Sequence, residues 1–98
     1  MFIVNLSYMK SMSEVEKHLE NHMKFIKDLF AKGQIICSGK KIPRTGGIII
    51  CSFTDINEAK SVLDRDPFIV HGVANYELIE FLPTSAMCID GIKSILEK

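Results

Sequence analysis

The chain has no long apolar run, no surplus of either charge and only three cysteines, and each of these scarcities excludes a class of protein. No stretch approaches the roughly 20 apolar residues that a helix needs to cross a bilayer, so no membrane association is expected. The start, Met-Phe-Ile-Val-Asn-Leu, has no basic residue ahead of its apolar stretch and does not read as a secretory signal. Twelve Lys and Arg balance twelve Asp and Glu. That balance lacks the basic surplus of a nucleic-acid binder. Cys37, Cys51 and Cys88 are odd in number and without metal-type spacing, as expected for reduced thiols in a cytoplasm. Cys37 and Cys51 fall in strand-like runs, where cysteine serves as a small hydrophobe.

What is present reads as one globular domain. Three prolines and 47% hydrophobic residues exclude a disordered or fibrous chain. With 98 residues the core is modest, and dimerisation would add to it. Phe2, Val4, Leu6 and Tyr8 alternate with Ile3, Asn5 and Ser7, which predicts a first strand. Ser13 with Glu16 is a capping-box pattern that predicts a helix start, and Gly33 fits its stop. Gln34 to Ser38 is a second strand, the glycine- and lysine-bearing stretch from Gly39 to Gly47 a loop, and Ile48 to Phe53 a third strand.

Asp55 with Glu58 caps a second helix carrying Ala59, Val62 and Leu63, which must finish before Pro67. Phe68 to His71 reads as a short turn and Val73 to Leu82 as the last long strand. Pro83 breaks it, and Asp90 can cap a short terminal helix bearing Ile92, Ile95 and Leu96. The order β-α-β-β-α-β predicts an α+β, ferredoxin-like fold with a short C-terminal helical tail. Both helices then cover one sheet face, and the other face, too apolar for water, calls for a partner subunit.

The first helix holds the chain's most informative residue. Val15, Leu19, Ile26, Leu29 and Phe30 recur at helical spacing, and His22 falls inside that apolar stripe, between Leu19 and Ile26. An imidazole there needs a hydrogen-bonding partner. A satisfied core histidine is one reading. A carboxylate partner gives the other, a pair able to move protons near neutral pH.

Asp66 is the second candidate. It precedes Pro67, which holds its backbone extended. A carboxylate fixed in this way can orient an imidazole, or it can simply bond nearby amides in a turn. His18 and His22 have the i, i+4 spacing of a zinc clasp, but the His-Glu-x-x-His order is absent, so no metal is expected. The loop with Lys40, Lys41 and Arg44 could receive an anion, although it lacks phosphate-loop spacing and otherwise reads as a solvated turn.

The stretch from His22 to Gly33, then Ser38-Gly39, then Asp64-Arg65-Asp66-Pro67-Phe68 and Gly72-Val73, resembles the YciI-like family over residues 1–82, leaving 83–98 as a C-terminal extension. The resemblance implies the dimeric α/β-barrel type of ferredoxin-like fold, a homodimer through sheet faces, and a catalytic centre whose histidine and aspartate map onto His22 and Asp66. The family includes a dehydrochlorinase acting on a chlorinated aromatic. Ser38, Gly39, Pro67, Phe68 and Tyr8 become the candidates for contact with a small-molecule substrate or ligand. Lys40 stands where many relatives have proline, and the segment after Pro83 differs.

The expectation is a small cytoplasmic enzyme without cofactor, using His22 and Asp66 for elimination, isomerisation or lyase-type chemistry. A non-catalytic module sensing a metabolite in the same cleft, and a subunit made for assembly, are the competing readings.

Overall fold

A computed structural model describes residues 1–85. Asp90, Ile92, Ile95 and Leu96 of the expected terminal helix, and Cys88, lie outside the described residues. The elements are β1 (Phe2–Tyr8), α1 (Met12–Ala31), β2 (Ile35–Lys40), β3 (Gly46–Cys51), α2 (Ile56–Leu63), α3 (Pro67–Val70) and β4 (Ala74–Glu80). The strands form one antiparallel sheet in the order β2-β3-β1-β4. This is the ferredoxin-like α+β arrangement. Among the described residues, no helix is long and apolar enough to cross a membrane.

Alternation in β1 sets the two faces. Phe2, Val4 and Leu6 are buried under the helices, opposite Cys51, Ile49 and Gly47 of β3. Ile26 and Leu29 of α1 and Ala59, Val62 and Leu63 of α2 close over them. Burying a leucine such as Leu29 fully contributes about 1.5–3 kcal/mol relative to leaving it exposed. A second cluster, Leu6, Val15, Phe68, Val73 and Ala74, fills the space beside α3. On the opposite sheet face Ile3, Ile48 and Ile50 are half-buried and Ile79 is exposed. Asn5 sits among them with its Oδ1 buried and without a donor among the described residues.

Several boundaries differ from the sequence expectation. Helix α1 begins two residues early, because Ser11, not Ser13, is its N-cap and accepts from the Glu14 N–H. Ser11-x-x-Glu14 satisfies the same pattern as Ser13-x-x-Glu16, and the chain enters the helix at the first of the two. Gly33, at φ 72°, follows the helix in the left-handed conformation that ends it. Phe30 is 42% exposed and leaves the stripe, while Phe25 packs partly buried against the core.

The expected loop from Gly39 to Gly47 shrinks to residues 41–45, since Gly39 and Lys40 pair with Ile48 and Gly47. Gly46 is required where β3 passes β1, because a Cβ there would run into the Leu6 carbonyl oxygen. Phe68 to His71 is not a plain turn but most of a four-residue helix, α3, ending at Val70 with His71 as its C-cap. The last strand stops at Glu80, two residues short of expectation.

Candidate functional site

The Asp66-Pro67-Phe68 sequence builds the base of the site. Pro67 opens α3 at its first position, where a missing N–H costs nothing. Asp66 is the N-cap, extended at ψ 127°, and its Oδ1 accepts from the Phe68 N–H at 2.9 Å. The same oxygen lies 2.8 Å from Nδ1 of His22. The two readings of Asp66, turn-maker and imidazole partner, are therefore one arrangement. The cap fixes the carboxylate, and the fixed carboxylate meets the ring. Asp66 is 1% exposed, and its Oδ2 has no partner among the described residues.

His22 reaches this point because α1 runs over the sheet with its stripe facing inward, two turns from Val15 and one from Ile26. Its ring lies flat on the Phe68 ring, with centroids 3.9 Å apart and planes 4° from parallel. Phe68 is held in turn by Tyr8, edge-on at 6.0 Å. Stacking and hydrogen bond together fix the plane and rotation of the imidazole. A carboxylate can only accept, so Nδ1 carries the hydrogen and Nε2, across the ring, is left with its lone pair.

A cavity of about 260 Å³ opens between α1 and the sheet, and His22 lines it. Its walls are mostly apolar, with Leu6, Leu19, Met23, Ile26 and Ile49. Of the residues singled out in the sequence, Tyr8, Ser38, Gly39 and Phe68 also line it. Asp66 stands behind the imidazole, and Pro67 does not line the cavity. Met23, Lys40 and Arg44 line it too, beyond the contact residues expected from the sequence. Met23 adjoins His22 on the helix, and Arg44 carried a signal in the basic loop.

His18, Cys37, Cys51 and Tyr76 are not among the residues that line the cavity. His18 is half-buried and stacks on His71, with centroids 4.1 Å apart, where a solvated flank was expected. Among the described residues, no three His, Cys, Asp or Glu side chains converge as metal ligands do. Cys37 and Cys51 are free thiols, and burial pushes the Cys51 thiol up to about 11. The Tyr76 hydroxyl donates to Asp64 at 2.6 Å, and burial, then that bond, raises it above the ordinary phenol range.

The family model for the YCII-related domain matches residues 1–82. No curated protein matches the chain by sequence. Among solved structures, the fold is similar to 5-chloro-2-hydroxyhydroquinone dehydrochlorinase from Burkholderia phenoliruptrix, in complex with 2,5-dihydroxybenzoquinone. That likeness has a TM-score of 0.61 at 17% identity and covers 83% of this chain and 93% of the other. It is a likeness of fold.

Proposed function

The chain belongs to the YCII-related domain family, and from that premise we propose that it is a small acid–base enzyme in which His22 moves protons and Asp66 orients it. The observation that carries this reading is the 2.8 Å contact between His22 Nδ1 and Asp66 Oδ1 at the edge of an apolar cavity. Nε2 removes a proton from a small organic molecule, and Asp66 stabilises the imidazolium that results. Elimination, isomerisation and lyase-type reactions can each begin with such a step, and in an elimination the electron pair of the broken C–H bond forms the new double bond as the leaving group departs with its own pair. The fold neighbour's dehydrochlorinase activity, and the flat quinone in its structure, support elimination on a small ring compound.

Residues 1–82 are the functional unit in this proposal, and 83–98 are an extension. The apolar face with Ile3, Ile50 and Ile79 supports a homodimer through the sheets, which sedimentation at micromolar concentration tests against an 11.1 kDa monomer. The free thiols of Cys37 and Cys51 favour a reducing, cytoplasmic setting.

The test is chloride release from 5-chloro-2-hydroxyhydroquinone and related chlorinated compounds. His22→Asn should abolish turnover with the fold retained, and Asp66→Asn should lower it by about 10²-fold. Turnover unchanged in His22→Asn overturns the reading. Binding without turnover of any such compound favours the metabolite-sensing module.

A further inference from the structure

The geometry points to a ligand of definite chemistry: a small carboxylate with an apolar body, its carboxylate held by Arg44 and Lys40. This rests on the proposal that the cavity beside His22 is the functional one. The charged residues lining the cavity are Lys40 and Arg44, and among the described residues no Asp or Glu lines it. Cross-strand partners share a face, so Lys40, opposite Gly47, projects on the helix side of the sheet with Leu6. Arg44 sits on the loop at the cavity mouth. That loop is held by the Tyr8 N–H donating to the Thr45 carbonyl at 2.9 Å and the Lys41 N–H donating to Gly46 at 3.1 Å.

Lys17, Lys24 and Lys32 each meet a carboxylate one turn away along α1, while among the described residues Lys10, Lys27, Lys60 and Arg65 meet none. Among the described residues, neither Lys40 nor Arg44 has a carboxylate partner, and Lys41 donates to the Ser7 hydroxyl instead. In a chain of zero net charge, two uncompensated cations thus stand at the mouth of an apolar cavity. The guanidinium fork matches a planar carboxylate through two parallel hydrogen bonds, and the ammonium adds a point charge. A volume of about 260 Å³ is smaller than the roughly 300–1,000 Å³ that takes drug-sized ligands. A ligand anchored at this mouth would lay its apolar body along Leu19 and Met23, towards His22.

Benzoate and its neutral isostere benzamide are the probes, titrated separately into the full chain at low salt and followed by amide NMR. Benzoate should shift Gly39, Gly47 and Phe68 and bind about tenfold or more tighter than benzamide. Arg44→Gln and Lys40→Gln, both at exposed positions, should each weaken benzoate by about tenfold and leave benzamide unmoved. High salt should weaken benzoate in the same way. Equal affinity for the two probes, benzoate affinity unchanged in both variants, or shifts that map away from the cavity would each overturn the carboxylate clamp. His22→Asn separates this from the parent proposal. Benzoate preference that persists while His22→Asn remains fully active sinks the acid–base reading alone. Lost preference with His22 still essential sinks the clamp alone.

Discussion

Helix α1 lies over two cores built on different terms. Towards its C-terminal end, Ile26 and Leu29 pack with Phe2, Val4, Cys51 and Leu63 into a cluster closed by α2. Towards the middle, the same stripe carries Leu19 and His22, which face a cavity and a buried carboxylate. The periodicity of the helix does not change between the two halves. What changes is the sheet beneath it, where β3 has Cys51 under one half and Gly46 and Gly47 under the other, with Ile49 on the boundary between core and cavity. Large side chains on both sides fill one end and hold the fold together. Small ones under the other end leave room for a ligand, at a cost in packing.

The sharpest way to break this comparison is to truncate both halves. Leu29→Ala should cost about 2–5 kcal/mol in urea unfolding, because it opens a void in a filled region. His22→Asn should cost less than about 2 kcal/mol, since the void beside it already exists and the main loss is one hydrogen bond. Equal costs would mean that the cavity end is as much a part of the stabilising core as the other.

A smaller effect comes from the glycines. Gly46→Ala should cost about 1–3 kcal/mol, as its Cβ meets the Leu6 backbone. Gly39→Ala should stay within about 0.5 kcal/mol, because nothing lies within 4 Å of the added atom. Thermal or urea unfolding of the two variants checks the pair.

The smallest effect is on the thiols. At mildly alkaline pH, Cys37 should react with a thiol reagent while buried Cys51 reacts only as the chain unfolds. The sign of the linkage follows from the raised value. Folding favours the neutral Cys51 thiol, so this contribution is intact below the ordinary value of 9.0 and is lost as pH rises towards about 11. Tyr76 is raised as well and adds a loss in the same direction at higher pH. Cys51→Ala should flatten the alkaline decline, as denaturation between these limits would show.

Much of this was legible in the sequence for physical reasons that can be named. Alternation in Phe2 to Tyr8, the Asp55 cap and the Asp66-Pro67 boundary are local signals, and local hydrogen bonding decides them. Gly39 and Lys40 carry a loop signal yet pair in β2, because glycine signals a turn only where no strand is available to pair with it, and β3 is available. Phe30 stands at the edge of the stripe beside Leu29, where periodicity alone does not decide burial, and packing leaves it 42% exposed. His22 was conspicuous as a polar residue in an apolar stripe. Its partner lies 44 positions away, and only the fold places the two side chains together.

One oxygen of Asp66 accepts from both the Phe68 amide and the His22 ring. That sharing makes a backbone amide into a reporter on the imidazole. When the ring gains or releases a proton, or a ligand tugs it, the electron density on the shared oxygen changes, and the Phe68 N–H resonance should move with it. The state of His22 can thus be followed without labelling or altering the histidine, from a nucleus two hydrogen bonds removed.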